Sequence, residues 1–156
     1  MFNRPALKKT PAHVTRSIAL FTCAAVLSAC SGKAPGNLGV QNGHLTDCPP
    51  SPNCVSSQAS DSEHRIAPLP LEGDPTATRT RLLSLLAQTP RVTVVAQEAH
   101  YLRAEFTSQL MRFVDDVEFL IGQEAVEVRS ASRLGHSDLG VNRERIEGLR
   151  QQLSQP

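Results

Sequence analysis

The spacing of apolar residues changes twice along this chain, and these changes constrain the fold more than any other feature. Residues 76–88 carry four leucines at helical spacing, which predicts a helix with one wide apolar side. Asp74 is a suitable N-cap for it, Pro75 fits the first turn, and Pro90 should end it.

Beyond that helix the apolar period becomes two, and then helical again. The segments 92–97, 101–106, 113–121 and 125–132 alternate apolar and polar residues, and short polar breaks separate them. A second amphipathic helix is expected over residues 141–153. This order predicts an α+β domain of two layers: a roughly four-stranded antiparallel sheet, with an N-terminal and a C-terminal helix packed on one face.

The N-terminal segment has the pattern of a secretory signal. Residues 1–29 contain four basic residues and no acidic one, and residues 17–27 are an apolar run too short to span a bilayer, which takes about 20 residues. The sequence Leu-Ser-Ala-Cys at 27–30 resembles the lipobox of bacterial lipoproteins, in which the cysteine is acylated. We therefore expect cleavage before Cys30 and lipid, such as palmitate, on Cys30. There are two alternatives: an ordinary signal peptide that happens to contain a cysteine, and an N-terminal anchor that is not cleaved.

Lipid on Cys30 would place the protein on a membrane of the cell envelope. One acyl chain holds weakly, whereas two or more hold durably, because each buried methylene contributes about 0.8 kcal/mol. Ser31 rather than Asp follows the cysteine, and by resemblance to the sorting rule of enteric-type bacteria this favours the outer membrane, facing the periplasm, over the inner membrane.

Composition divides the exported part into three regions and excludes some partners. Residues 30–47, rich in Gly and Asn, are expected to be a flexible tether, residues 48–62 a loop stapled by cysteines, and residues 63–156 the α+β domain. With four of the sixteen basic residues in the signal, twelve remain against fifteen acidic ones, a formal charge of −3. This balance, with no Trp and one Tyr, argues against a nucleic-acid partner. No cofactor is indicated.

Two cysteines remain after export, Cys48 and Cys54. An even pair at short spacing in an oxidising compartment predicts a disulfide, which the intervening prolines would help to close. Two alternatives are a zinc site completed by His44 and His64, whose spacing matches no common zinc signature, and free or redox-active thiols.

The polar side of the predicted sheet carries charges of both signs, and one acid lies on the wrong side. The polar side is either a solvated face with cross-strand ion pairs or a ligand-facing surface; its residues are Arg103, Glu105, Glu118, Glu127 and Arg129.

Strict alternation points Asp115 inward, where a carboxylate needs a partner. Either a bulge at Asp115–Asp116 turns it outward, or an arginine such as Arg133 or Arg145 holds it. Two adjacent acids also invite a metal or acid–base interpretation.

Donors and acceptors are dense where the last strand leads into the last helix. Asp138 or Asn142 could cap that helix, and a helix N-terminus with nearby arginines attracts anions. A nucleophilic alternative would use Ser137 with His136, although no Gly-x-Ser-x-Gly elbow is present. The candidate ligand-binding residues are Asp115, Asp116, Arg129, Ser130, Ser132, Arg133, Asp138 and Asn142.

Four strings of this sequence resemble motifs of the DUF1499 family, a domain of unknown function found in bacteria and plant plastids. They are CPPSPNCVSS at 48–57, AEFTS at 104–108, RFVDDVEF at 112–119 and RSASRLGHSDLGVNR at 129–143. The resemblance covers about residues 45–153 and implies an envelope or organelle domain without an assigned activity, so it supplies no catalytic residues. It also implies that the polar motif residues meet in space.

These observations favour a lipid-anchored, non-catalytic domain that binds a partner or a small anionic ligand near Arg129 and Asn142. If Arg129 and Arg133 are surface ligands, replacing them should alter stability by no more than about 1 kcal/mol. Two alternatives remain: a hydrolase that uses Asp115 or Asp116 with His136, and a purely structural envelope component.

Overall fold

The computed structural model of the protein describes residues 32–155. The expected signal at 1–29 and the lipidation site Cys30 lie outside the described residues. None of the helices within 32–155 is long and apolar enough to cross a membrane.

The described part is an α+β domain with two helices and two antiparallel sheets. A hairpin of β1 (Val40–Gln41) and β2 (His44–Leu45) comes first, in the segment expected to be a tether. The other elements in chain order are β3 (Cys54–Ser56), β4 (Leu69–Pro70), α1 (Pro75–Gln88), β5 (Val92–Gln97), β6 (Tyr101–Thr107), β7 (Val114–Ile121), β8 (Ala125–Ser132) and α2 (Val141–Leu153).

The main sheet has six strands, so the expectation of four was wrong. Its order is β3-β8-β7-β6-β5, and the short β4 also pairs with β8. β3 and β4 lie one after the other along the outer edge of β8, opposite 129–131 and 125–126. Strands of two or three residues are too short to show a period of two, which is why the alternation pattern did not reveal them.

The predicted helix and strand boundaries agree closely with the structure. Asp74 caps α1, and its carboxylate accepts the Ala77 N–H at 2.7 Å. Pro75 occupies the first turn, and α1 ends at Gln88, before Pro90. Phe113 differs from the expectation: β7 begins one residue later, and the Phe113 side chain is exposed.

Both helices and one face of the sheet form a single apolar core. α1 contributes Leu82 and Leu86, whereas α2 contributes Ile146, Leu149 and Leu153. The sheet contributes alternate residues of its strands to the same cluster: Val55, Leu102, Ala104, Val117, Phe119, Ile121, Val126 and Val128. We call this the helix face of the sheet and the opposite one the second face.

Candidate functional site

The second face of the sheet holds a buried carboxylate, Glu118 on β7. Its side chain is fully buried and lies directly across from Arg129 of β8, whose Nη1 donates to Oε2 at 3.2 Å. The other oxygen, Oε1, accepts the Tyr101 hydroxyl at 2.8 Å and the Gly39 N–H at 2.7 Å. Three donors therefore satisfy Glu118, as a charge inside a protein requires.

Asp116 forms a second ionic cluster two residues earlier on β7. Arg133 binds Asp116 through two hydrogen bonds: Nε donates to Oδ2 at 2.7 Å, and Nη2 donates to Oδ1 at 2.8 Å. Arg103 also donates to Oδ1, at 2.9 Å. Glu105 lies directly opposite Asp116 on β6, a like-charge pairing that would destabilise the sheet. Arg133 also donates to Glu105, so its guanidinium bridges the two acids, and Arg103, which contacts both, supplies the second positive charge.

The chain itself covers the part of this face around Glu118, Asp116 and Arg129, while the side chains of Arg103 and Glu105 remain 20% and 28% exposed. Residues 32–49, which we call the cover, lie over the strands. Its contacts include the Gly39 N–H on Glu118 and the Gly32 carbonyl, which accepts from Arg133 Nη1 at 3.4 Å. As a result Glu118, Asp116 and Arg129 are all buried. The cross-strand ion pairs expected for a solvated face are present, but the sequence did not predict that residues 32–49 would cover them.

A cavity of about 330 Å³ remains between the cover and the sheet. The cover supplies Pro35, Asn37, Thr46, Asp47, Cys48 and Pro49, and the sheet side supplies Asp116, Arg129, Ala131, Ser132 and Arg133. Arg129 is the underused donor here: its Nη1 bonds Glu118, while its buried Nε has no partner among the described residues.

Two groups of this network have displaced pKa values, both in the direction that preserves it. Burial raises the pKa of the Tyr101 hydroxyl, and the nearby Glu118 carboxylate raises it further, so Tyr101 stays a neutral donor. Hydrogen bonds to Asp116, followed by those to Glu105, raise the pKa of Arg133 despite its burial, so the guanidinium stays charged. Glu118 and Asp116 therefore keep their donors across the physiological pH range.

Asp115 points to the helix face, as alternation predicted, and an arginine explains it. Arg145 of α2 donates through Nη2 to Asp115 Oδ2 at 2.5 Å, and its guanidinium carbon lies 4.8 Å from the ring centroid of Phe106. The β7 register shows no bulge at Asp115–Asp116, and Arg133 binds Asp116 instead. Of the explanations considered, the pairing with Arg145 is the one that the structure contains.

Asn142 connects the start of α2 to the sheet and is fully buried. Its amide nitrogen donates to the Asn53 carbonyl and to Ser132 Oγ, both at 3.0 Å. Its amide oxygen accepts from Ser130 Oγ and from Arg145 Nη1, both at 2.5 Å. Every polar atom of this side chain is used internally, so Asn142 holds the corner together and presents nothing to a ligand.

Gly140 is the N-cap residue of α2, and the Asp138 side chain, two residues earlier, binds N–H groups at the start of the helix. Its Oδ2 accepts the Asn142 N–H at 2.7 Å and its Oδ1 accepts the Gly140 N–H at 3.0 Å. Burial opposes ionisation of Asp138, but these backbone hydrogen bonds outweigh it and lower the pKa below its ordinary value. Because the Asp138 carboxylate already occupies the helix N-terminus, an external anion would have to compete with it there.

The eight candidate residues therefore do not form one site, because the sheet separates them. Asp116, Arg129 and Arg133 belong to the second face and line the cavity. Asp115, Ser130 and Asn142, with the Ser132 hydroxyl, belong to the helix-face network, and Asp138 lies in the loop. The sequence placed Glu118 and Arg129 on one polar face with cross-strand ion pairs as one interpretation, but it missed Tyr101 and Gly39 as further donors to Glu118.

Cys48 and Cys54 form the expected disulfide, with their Cα atoms 5.7 Å apart. Neither sulfur is therefore a thiolate that could bind zinc. His64 bonds Asp61 at 2.8 Å through Nδ1 and the Ser51 carbonyl at 3.2 Å through Nε2, while the His44 side chain is exposed. Within residues 32–155, no group of three or more His, Cys, Asp or Glu side chains could hold a metal ion.

The residues of the catalytic alternative lie apart. Asp115 and Asp116 point to opposite faces of β7, and both are bound by arginines. His136 is exposed in the loop before α2, and it makes no hydrogen bond to either carboxylate in the described structure. Ser137 Oγ accepts the Leu139 N–H at 3.3 Å, which is a local turn contact.

The family model described as "Protein of unknown function (DUF1499)" matches residues 44–153. The match spans most of the chain. The protein belongs to the DUF1499 family. No curated protein and no solved structure matches the chain significantly. For this DUF1499 protein, arguments about activity therefore depend on its own residues.

Proposed function

We propose that this DUF1499 protein is an exported, lipid-anchored binding module of the cell envelope, held by acyl chains on Cys30. We propose further that it binds, without catalysis, a small carboxylate-bearing ligand in the cavity beside Arg129. The signal pattern of residues 1–29 and the lipobox support the location. The disulfide between Cys48 and Cys54 supports it independently, because such bonds persist in oxidising compartments outside the cytosol.

The donor balance of the second face carries the ligand proposal. The ion pairs of this face join three arginines to three acids, and Glu127 is a fourth acid that bonds Ser57, so formal charge alone favours no anion. The number of hydrogen-bond donors on Arg129 exceeds the number of acceptors that they bind. Arg129 has five N–H donors, and one of them, on Nη1, binds Glu118. Arg129 lines the cavity, so an oxygen acceptor of a ligand there could use the guanidinium donors that the described residues leave without a partner.

The cavity walls limit the size and character of the ligand. A volume of about 330 Å³ is at the lower end of ligand pockets, which span about 300–1,000 Å³. Pro35 and Pro49 of the cover provide an apolar wall, and Ala131 of β8 adds an apolar surface between Arg129 and Arg133. A compact molecule with one carboxylate and a short apolar portion fits this division.

The contacts of Asp116 support binding rather than catalysis. Both oxygens of Asp116, the cavity carboxylate of the sheet, accept from arginines at 2.7–2.9 Å. A general base needs a free lone pair within reach of its substrate, whereas both oxygens of Asp116 are already occupied by guanidinium donors.

The ligand proposal can be tested on the Arg129 side chain itself. The full-length protein, purified from membranes in detergent with isotope-labelled arginine, would be titrated with acetate, succinate and inorganic phosphate. We expect the Nε–H resonance of Arg129 to move saturably with the carboxylates. The matched control resonance is that of Arg112, an exposed arginine outside the cavity.

A double variant, Arg129→Met with Glu118→Gln, removes the donor without leaving an unpaired buried charge. It should stay folded and lose the carboxylate response measured by calorimetry, while Arg112→Met should retain it. The ligand proposal is refuted if the Nε–H resonances of Arg129 and Arg112 shift equally, or if no probe gives a saturable shift. A response to phosphate alone would replace carboxylate with phosphate as the recognised group.

Anchoring is tested separately by metabolic labelling with a fatty acid. The natural protein should incorporate the label and fractionate with membranes, whereas Cys30→Ser should not incorporate it. Label that persists in the Cys30→Ser protein, or that is absent from the natural one, contradicts the anchoring proposal.

A purely structural envelope role is the second candidate. It is favoured by the internal satisfaction of Asp115, Asn142 and Asp116, which leaves few groups for a ligand. Co-purification of a stoichiometric envelope protein, together with no response of Arg129 to any probe, would support this role instead.

A further inference from the structure

Most of the exposed apolar side chains lie in two loops. The first is the β6–β7 loop, residues 108–113, and the second is the β8–α2 loop, residues 133–140, together with the first residue of α2. Of eight large hydrophobic side chains exposed within residues 32–155, these loops hold six: Leu110, Met111, Phe113, Leu134, Leu139 and Val141. Leu139 and Leu110 are 91% and 89% exposed, which is unusual for leucine.

Both loops lie at the same end of the sheet. β7 begins where β8 ends, since Asp115 pairs with Ser132 and the Arg133 N–H donates to the Val114 carbonyl at 3.1 Å. The β6–β7 loop therefore lies beside the β8–α2 loop. We call this the loop end of the domain. The opposite end contains the β5–β6 and β7–β8 turns.

The described chain also begins at the loop end. An added Cβ on Gly32 would come within 3.1 Å of Arg133 Cβ and 3.2 Å of Leu134 Cγ, so Gly32 packs directly on the β8–α2 loop. Cys30 precedes Gly32 by two residues, a reach of about 7 Å at most for an extended chain. An acylated Cys30 would therefore place the membrane next to the exposed leucines, instead of at the end of a long tether.

Two further features distinguish the loop end from the opposite end of the domain: its backbone conformation and its charge. Arg112 and Leu139 have φ values of 57° and 56°, in the left-handed region that bulky side chains rarely adopt. Exposed basic residues lie at or beside the loop end: Lys33, Arg91 and Arg112. The acid within the two loops, Asp138, is bound to backbone N–H groups. Acidic residues cluster at the opposite end: Glu72, Asp74, Glu98 and Glu124.

We infer that the loop end docks on the bilayer that holds the Cys30 acyl chains, with Leu110, Met111 and Leu139 inserted among the lipid headgroups and upper acyl chains. This inference rests on the proposed anchoring. Apolar side chains inserted into an interface lie about 5–10 Å below the headgroups, with basic residues beside the lipid phosphates. The domain then stands with its sheet strands rising from the membrane and its acidic end away from it.

The test uses fluorescent labels on single cysteines. If Cys30 is acylated and Cys48 is bonded to Cys54, the exported protein offers no free thiol to compete with an introduced one. Leu110→Cys and Leu139→Cys place an environment-sensitive fluorophore at the loop end. Gln123→Cys is the matched control, at an exposed position in the β7–β8 turn. The eight residues of β7 separate it from the loop end by about 26 Å, at about 3.3 Å per residue.

Each full-length protein would be reconstituted into vesicles of phosphatidylethanolamine and phosphatidylglycerol containing nitroxide-labelled lipid. We expect blue-shifted emission and nitroxide quenching at positions 110 and 139, and neither at 123. Equal, water-like emission at all three positions in protein that carries the fatty acid would overturn the docking while leaving the anchoring intact. A blue shift without quenching would indicate contact with another protein copy and would also overturn it. Absence of the fatty acid itself would refute the anchoring on which the docking rests.

Discussion

Replacing Arg133 with methionine tests whether the second face is a structural network. The Arg133 side chain is 7% exposed, and it makes two bonds to Asp116, at 2.7 and 2.8 Å, and one to Glu105. Its loss leaves Asp116 buried with Arg103 as its remaining ionic partner and Glu105 directly opposite. Removing one member of a buried pair costs about 3–5 kcal/mol.

This cost is well above the limit of about 1 kcal/mol expected for a surface arginine. We therefore expect urea denaturation to show a loss of about 3–5 kcal/mol. The melting temperature should fall by more than about 10 °C, given about 4 °C per kcal/mol for a domain of this size.

The control and the double variant make the result specific. Arg112→Met removes an exposed arginine and should change stability by less than about 0.5 kcal/mol. Asp116→Asn combined with Arg133→Met should cost less than the sum of the two single changes, because the second change removes the stranded charge. If Arg133→Met costs no more than Arg112→Met, or if the two changes simply add, the network does not hold the fold and the burial argument is wrong.

Three further outcomes follow from individual contacts. Asp138→Ala should cost about 1 kcal/mol at neutral pH through loss of the α2 cap. The pKa of Asp138 is lower in the folded protein than in the unfolded chain, where it is near 3.8. Its contribution to the free energy of unfolding is therefore complete above the unfolded pKa and is lost as pH falls through the folded pKa. Acid titrations should accordingly show a shallower decline in stability for the variant than for the natural protein. Replacing both Cys48 and Cys54 with serine should cost roughly 2 kcal/mol, measured by urea denaturation, since the closed loop is short; no change would mean that the bond does not constrain the unfolded chain. Leu82→Ala, in the core contributed by α1, should cost about 2–5 kcal/mol, whereas the exposed Val95→Ala should cost far less.

Local signals in the sequence predicted the longer elements closely. The Asp74 cap and Pro75 set the start of α1, and period-two alternation set β5 to β8 within about one residue. These signals work because each element exposes one side to the apolar core. β3 and β4 could not be found in this way, because two or three residues carry no measurable period and pair with β8 only through distant contacts.

The candidate site was harder to predict than the fold. The family resemblance implied that polar motif residues such as Arg129, Arg133 and Asn142 meet in space, and Arg129 was grouped with Ser130 as a candidate ligand residue. However, consecutive strand residues point to opposite faces, so Arg129 and Ser130 belong to different networks. Parity could have separated them in advance. No local pattern could have placed Gly39 on Glu118, 79 residues away.

The sequence by itself determined the α+β class, the boundaries of the main elements and the inward direction of Asp115, since these depend on residue preferences and strand parity. The tertiary structure alone decided which arginine meets which acid, and that residues 32–49 cover the polar face. Those choices depend on strand register and long-range closure, where ion pairs and hydrogen bonds form only after distant segments are brought together.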